Sequence, residues 1–399
     1  MDQLLSVSDA LSRVLAGAAR LGEESAPLAQ ARGRTLATDL VARRTQPPVA
    51  VSAMDGYALR VADLTAPLRI VGESAAGSAY EAALKRGEAI RIFTGAPVPQ
   101  GADAILLQED ARVDDGVLTA NAPPGPHIRG AGLDFLEGEV ALFAGDRLGP
   151  AELALAAAMN HAAVPVARRP RVAVIASGDE LVPPGAAPGP SQIISCNNLA
   201  VAAIAEDAGA EVIDLGIFRD DLAELERGIG LAREARADVL VTLGGASVGD
   251  RDLLRPALAR QGMSLDFWKI AMRPGKPLIH GALGEARILG LPGNPVASYV
   301  CALVFLAPLL RALQGDPDAG ADRSEAAITG SDLPANKGRG DYMRARLAID
   351  ERGRLVATPQ PLQDSSLLTE LAESQALLIR EPGAPPASKG DPCRILRLP

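Results

Sequence analysis

Three glycine-rich turns each follow a short apolar run in the second half of this 399-residue chain. They are Ser177-Gly178-Asp179-Glu180, Gly244-Gly245-Ala246-Ser247-Val248-Gly249 and Leu291-Pro292-Gly293-Asn294-Pro295. Glycine permits positive φ and close backbone approach, so such turns can aim N–H groups at an anion. Any one of them alone reads better as a tight strand-to-helix connection; three at one sheet edge point to a phosphate-bearing ligand. Carboxylates stand in or beside the turns: Glu180, Asp220, Asp221, Asp250 and Asp252. Acids at a phosphate site make chemical sense around a hard cation such as Mg²⁺, which takes oxygen ligands. Helix capping is the other use of such residues. It suits Asp221 and Asp250, whereas Glu180 and Asp252 read as functional. The cations cluster in residues 267–277, where Lys269, Arg273 and Lys276 either converge on an anion or form a solvated basic loop. The sole tryptophan, Trp268, reads as packing.

The first half offers two further turn-rich segments, residues 52–58 around Asp55-Gly56 and residues 92–99 around Thr94-Gly95. His127, His161 and His280 lack metal-ligand spacing, and no Ser/His/Asp arrangement is visible.

These residues need elements to position them. Strand-like runs at residues 172–176, 211–217, 239–243, around 267 and at 287–291 alternate with helical segments from Asn197, Asp221, Asp250 and Pro295. That order predicts a three-layer α/β domain with a parallel-rich sheet. Residues 6–21 predict an amphipathic helix with Leu11, Val14, Leu15 and Ala18 on one face. Pro150 opens a second helix, which returns the chain to an N-terminal helical layer. Between them lies an inserted β-rich lobe with runs at 68–71, 89–93 and 104–107, and the tail reads as a small β domain. The expected division is 1–45 with 131–168, 46–130, 169–316 and 317–399.

A net charge of −9, with no stretch dense in Lys and Arg, argues against nucleic-acid binding. Three widely spaced cysteines, Cys196, Cys301 and Cys393, give neither a disulfide framework nor a zinc ribbon. They read as reduced, mostly buried thiols. The first 15 residues lack the pattern of a signal peptide, which leads to a cytoplasmic expectation. The apolar stretch 296–310 reads as a buried helix too short to cross a bilayer, so no membrane association is expected.

Taken together, Met54-Asp55-Gly56-Tyr57-Ala58, Thr94-Gly95-Ala96-Pro97, Gly101-Ala102-Asp103-Ala104 with Gln108-Glu109-Asp110, Ser177-Gly178-Asp179-Glu180-Leu181, Gly244-Gly245 with Ser247-Val248-Gly249, Pro274-Gly275-Lys276-Pro277 and Leu291-Pro292-Gly293-Asn294-Pro295 resemble the molybdopterin molybdenumtransferase family, whose eukaryotic relatives include the gephyrin E domain. The resemblance implies four domains: an elongated helical linker, an inserted β-rich lobe, an α/β domain and a C-terminal β-barrel. It implies transfer of molybdate onto adenylyl-molybdopterin with release of AMP, Mg²⁺ as cofactor, and a homodimer whose cleft is shared between subunits. The pterin-adenylylating enzyme and molybdoenzyme chaperones would be further partners. By motif, Asp55, Thr94, Asp134, Glu180, Asp220 and Asp252 are expected to be catalytic, with Glu180 and Asp252 as metal ligands. Gly178, Gly244, Gly245, Ser247, Lys269, Arg273, Lys276, Pro292, Gly293, Pro295, Arg344 and Ser366 are expected to bind substrate. A lysine is common in the family where Arg273 stands, Leu133 replaces a usual acid, and residues 363–366 replace a glycine-bearing turn. A non-catalytic pterin-binding scaffold and a tungstate-inserting paralogue are the alternatives.

Overall fold

Strand Arg171–Ser177 shows how the larger unit is built, because its alternate residues enter different cores. Val172, Val174 and Ala176 join the cluster with Val201, Val300 and Phe305. Ala173 and Ile175 join the one with Leu225, Ile229 and Leu258. A strand buried on both faces must be apolar throughout, which is why this run shows no polar alternation. The computed structural model describes residues 4–245 and 253–399, and the chain divides into two compact units, Met1–Glu24 with Ala167–Pro399, and Ser25–Val166.

In the larger unit the six-stranded sheet runs in the order Glu211–Phe218, Arg171–Ser177, Val239–Leu243, Ala286–Leu291, Pro277–Leu283, Ser264–Lys269. The first four strands are parallel. The last two pair antiparallel. Strand Pro277–Leu283 is an addition to the sequence reading; it turns directly into Ala286–Leu291 across Gly284, whose φ of +63° suits a tight hairpin. Helix Asn197–Asp207 and the long apolar helix cover one face, while Leu222–Glu234 and Leu254–Arg260 cover the other. Asp221 caps Leu222–Glu234, accepting from the N–H groups of Ala223 and Glu224. The expected helix start at Asp250 lies outside the described residues.

Two expectations are corrected here. The apolar helix is not short: Pro295–Ala312 runs 18 residues, long and apolar enough to cross a membrane by length and composition. Its Val300, Phe305, Leu306, Leu309 and Leu310 are nonetheless buried in the core, as read for a core helix. The N-terminal helix is Val7–Leu15, stopped before residue 21 by Gly17 in the left-handed region at φ +64°. Rather than joining a helical layer, it buries Ala10 and Val14 in the α/β core, because its apolar stripe faces Leu306 and Leu309 there.

Beyond the sheet, strands Glu325–Thr329, Gly340–Ile349, Leu355–Pro359, Ala376–Arg380 and Pro392–Arg397 form a closed five-stranded barrel, Gly340–Ile349 pairing with both Leu355–Pro359 and Ala376–Arg380. Five strands leave little interior, and Ala327, Ala345, Ala357 and Ala376 fill it with Leu378 and Ile395. Met272–Arg273, leaving the sheet's edge strand, adds to this barrel parallel to Gly340 and Asp341.

The smaller unit carries a six-stranded sheet in the order Ala104–Leu107, Gly56–Leu59, Glu88–Ile92, Leu68–Ser74, Val117–Ala120, Ala111–Asp114. Successive residues again serve opposite cores, Ala58, Ile90 and Ile105 on one side and Leu59, Ala89 and Leu106 on the other. A third cluster gathers Leu36, Leu40, Phe135, Leu148 and Val164 around helix Pro150–Ala158.

Candidate active site

The carboxyl ends of the four parallel strands open into a cleft of about 910 Å³. Each predicted turn reaches it. Gly244 sits at φ +92°, and a Cβ there would lie 2.5 Å from the Ser177 carbonyl oxygen, so only glycine lets the two turns close on each other. Gly293 packs against the same turn, its would-be Cβ 3.5 Å from the Gly244 Cα, an ordinary van der Waals contact. Asn197 Nδ2 donates to the Gly293 carbonyl at 2.7 Å, tying the last turn to the start of helix Asn197–Asp207. Pro295 occupies the first turn of its helix, where a missing N–H costs nothing. Helix starts at Asn197 and Pro295 therefore meet at the cleft, an arrangement that favours negative charge.

Glu180, Asp220, Gly244, Gly245, Arg273, Pro292, Gly293, Pro295 and Ser366 all line this cleft. Gly178 stands beside it, with the Glu180 carboxylate folded over its Cα. Burial, then the charges of Asp179 and Glu180, push the Asp220 carboxyl above its ordinary value. A hydrogen bond with the Asp179 backbone offsets this in part, and Arg219 stands 3.6 Å from the Asp179 carboxylate. Ser247 and Asp252 lie outside the described residues.

The basic set is rearranged. Of Lys269, Arg273 and Lys276, only Arg273 lines the cleft, and its guanidinium is ion-paired with Asp341 on the adjoining barrel strand. Lys269 instead lies over the Trp268 ring, Nζ 3.7 Å from its centroid. Arg255 stacks on the same ring at 4.2 Å, so Trp268 is a cation platform as well as core packing. Lys276 is exposed. Arg344, expected to bind substrate, is 1% exposed and spends its donors on three carbonyls of one loop: Asp364 at 2.7 Å, Leu362 at 3.0 Å and Leu367 at 3.4 Å. It holds the loop that supplies Gln363, Asp364, Ser365 and Ser366 to the cleft. Ser366 donates to Asp364 at 2.6 Å within that loop. Ser365 is the residue that reaches across, accepting from Asn294 Nδ2 at 2.8 Å and, by its carbonyl, from Val296 N at 3.0 Å.

The sequence reading passed over several lining residues, among them Arg339, Ser195, Cys196 and the pair Ile193-Ile194. Two exposed isoleucines between a Pro/Gly-rich segment and a helix were the available signal. Their strand pairs with Leu181–Val182, which brings them to Glu180. Cys196 is half-buried in the cleft, whereas burial pushes the Cys301 thiol up to about 12.

In the smaller unit, Asp55 Oδ1 accepts from the Thr94 N–H at 2.7 Å and from its hydroxyl at 2.8 Å. These bonds, with the charge of Arg91, hold the Asp55 carboxyl below its ordinary value. Ser52 shapes the turn before it, its hydroxyl donating to the Met54 carbonyl at 2.6 Å. Gly56 is required next, since a Cβ there would fall 2.0 Å from the Leu106 carbonyl oxygen. Arg91, absent from the predicted set, is fixed by Gly56 O at 3.1 Å and Gln108 at 2.7 Å between the rings of Tyr57 and Phe93. Asp134 lines a recess of about 470 Å³ with Arg44, Gly95 and Arg129.

A closely set group of anion-binding turns, carboxylates and helix starts at the carboxyl edge of a doubly covered sheet defines a ligand-binding α/β protein. Residues 5–160 match the MoeA N-terminal region (domain I and II), 173–312 a probable molybdopterin binding domain and 326–398 the MoeA C-terminal region (domain IV). The chain is 35% identical over 373 residues to the molybdopterin molybdenumtransferase of Haemophilus influenzae, covering 92% of each chain. It is 38% identical over 367 residues to molybdopterin molybdenumtransferase 2 of Mycobacterium tuberculosis, covering 88% of this chain and 89% of that one. Its structure is similar to that of the molybdopterin biosynthesis MoeA protein of Pyrococcus horikoshii, with TM-score 0.81, 28% identity and 99% of both chains covered. The chain belongs to the molybdopterin molybdenumtransferase family.

Proposed function

We propose that this protein inserts molybdenum at the last step of molybdenum cofactor synthesis, joining molybdate to the dithiolene of adenylyl-molybdopterin and releasing AMP. The observation that carries the reading is the convergence of three glycine turns, two helix starts and the acids Glu180 and Asp220 on one cleft. Molybdate and the pyrophosphate of the pterin substrate repel each other, so a site for both must hold negative charge and orient it. Backbone N–H groups of the turns beginning at Gly244 and Pro292 would bind phosphate oxygens, and Arg273 would hold oxyanion charge close to them.

Mg²⁺ belongs to this proposal on the chemistry of the donor set. Among the described residues no group of three or more His, Cys, Asp or Glu is arranged to hold a metal. Glu180 and Asp220 nonetheless form an oxygen-only pair, and burial first, then the charges of Asp179 and Glu180, raise the Asp220 carboxyl, a cost that a bound cation would relieve. They would hold the ion, together with Asp252. When bound, it supplies charge neutralisation at the phosphoanhydride. Asp55 with Thr94, and Asp134, are proposed to serve the same reaction from the second subunit of a homodimer. A cytoplasmic setting and contacts with the pterin-adenylylating enzyme and molybdoenzyme chaperones complete the reading.

The test is to incubate pure protein with adenylyl-molybdopterin, Mg²⁺ and molybdate and to follow AMP. Release that requires both the oxyanion and the metal is expected. Tight pterin binding without AMP release would make the protein a carrier, and a strictly monomeric mass at full activity would remove the shared cleft.

A further inference from the structure

Arg91 stands on strand Glu88–Ile92 of the smaller unit, in register with Tyr57 on one neighbouring strand and Glu73 on the other. Cross-strand partners and residues two apart share a face of a sheet. The guanidinium accordingly lies 5.0 Å from the Tyr57 ring centroid and 4.8 Å from that of Phe93. Its donors go to the Gly56 carbonyl at 3.1 Å and to Gln108 Oε1 at 2.7 Å. Among the described residues it takes no carboxylate partner, although Glu73 is beside it in register, whereas Arg69 on the next strand pairs with Glu88 at 3.2 Å.

Every one of these contacts falls on or beside the residues that carry Asp55 and Thr94. Gly56 follows Asp55, Phe93 precedes Thr94, and the Gln108 N–H donates to the Asp55 carbonyl at 3.2 Å. The pair itself is joined only through Oδ1, which accepts both Thr94 bonds, so Oδ2 accepts no bond from a described residue. Two bonds to one oxygen fix a distance; the direction of the second oxygen depends on how the two turns are held against each other. A planar guanidinium with a ring near each face and a carbonyl at each fork is suited to that task in a way a flexible ammonium is not. We propose that Arg91 is a positioning residue for the insertion reaction, clamping the turns that carry Asp55 and Thr94 so that Asp55 Oδ2 is presented in one orientation. Its charge acts in the same sense: after the two Thr94 bonds, the Arg91 charge helps keep the Asp55 carboxyl ionised. Besides Tyr57 and Glu73, the titratable groups on elements packed against these turns are Glu109, which accepts from the Gln108 amide at 3.1 Å, Asp110, His127, whose carbonyl accepts from Ala53 N, and Arg129, paired with Val51. This deepens the molybdenum-insertion reading and rests on it for the role of Asp55.

The experiment compares full-length wild type, Arg91→Gln and Arg91→Lys by AMP-release kinetics across pH, by melting curves, and by NMR titration of isotope-labelled aspartates, with the Asp55 signal assigned by its loss in Asp55→Asn. In Arg91→Gln, kcat should fall by about tenfold to a hundredfold with KM nearly unchanged, as displacement of a reacting group does. The acid limb of the kcat profile and the Asp55 titration should both move to higher pH, as loss of a neighbouring positive charge requires. Arg91→Lys keeps the charge but not the fork, so the titration should return toward wild type while kcat recovers only in part. A kcat in Arg91→Gln within about twofold of wild type overturns the assignment, as does an unmoved Asp55 titration or a loss seen only at temperatures where both Arg91 variants unfold. The two readings fail separately. A wild-type protein that never releases AMP sinks the reaction, and the Asp55 titration then still decides whether Arg91 governs that carboxylate.

Discussion

Arg344→Met separates a loop-holding role from a ligand-binding one, because the two roles predict opposite readouts. The substitution keeps a long flexible side chain in a site that is 1% exposed, so little cavity forms, but it removes every donor. Three carbonyls accept from the guanidinium, and the contact to Leu367 O at 3.4 Å is weak enough to discount. The remaining two, to Asp364 O and Leu362 O, are bonds to a charged group, each contributing about 1.5–3 kcal/mol net. The sum, about 3–6 kcal/mol, is reduced because the neutral side chain no longer bears the desolvation of a buried guanidinium, which leaves about 3 kcal/mol. At about 2–4 °C per kcal/mol for a unit of this size, the melting temperature should fall by about 6–12 °C. Scanning calorimetry measures it directly. The Michaelis constants should rise as well, since the loop delivers Ser365 to Asn294 at the cleft. A melting temperature that moves by less than about 2 °C while ligand binding collapses would refute the loop role, and would return Arg344 to the substrate.

Asp55→Asn keeps the acceptor for both Thr94 bonds, so stability should hold while AMP release falls steeply; unchanged turnover would remove the carboxylate from the chemistry. Gly244→Ala places a Cβ 2.5 Å from the Ser177 carbonyl oxygen at φ +92°, and should lower stability by about 2 kcal/mol or more and abolish AMP binding, read by melting and titration. Burial, opposed by Asp266, lowers the His280 pKa from 6.5, so the folded state keeps the ring neutral where the unfolded chain takes up a proton. Stability should therefore be constant above pH 6.5 and fall as pH drops through the window below it, and His280→Gln should flatten that slope in melting curves.

The α/β sheet was legible because strands such as Val239–Leu243 are buried on both faces and end in glycine, a pattern that local physics dictates. The anion turns followed from the same rule, and nine predicted residues do line one cleft. The end of the sheet was less legible. Strand Pro277–Leu283 begins at a proline after a Pro-Gly-Lys turn, and its direction is set by the hairpin at Gly284, not by its own residues. The cations were misallocated for a related reason. Sequence spacing put Lys269, Arg273 and Lys276 together, but Lys269 lies over the ring of its own neighbour Trp268, and Arg273 pairs with Asp341 from a barrel strand tens of residues away. Arg339 sits in a Gly-Arg-Gly stretch with no periodicity, and acquires meaning only when Gly340 docks beside Met272. Arg344 shows the converse: its place in the family pattern suggested a ligand, and only its burial reveals a loop anchor.

The docking of helix Val7–Leu15 against the far end of the α/β core has a consequence for biosynthesis. Val14 leaves the ribosome early, yet it packs in one cluster with Phe305 and Leu309, about 290 residues later. At about 5–20 residues per second, translation separates the two by roughly 15–60 s. For that interval the apolar stripe formed by Ala10, Leu11, Val14 and Leu15 has no native surface to cover it on the nascent chain. Closure of the larger unit thus waits on the last turns of Pro295–Ala312, and the first helix made is among the last to be buried. Slowed elongation lengthens the exposure in proportion, which makes the yield of soluble protein depend on translation speed and on the supply of chaperones that bind short apolar segments.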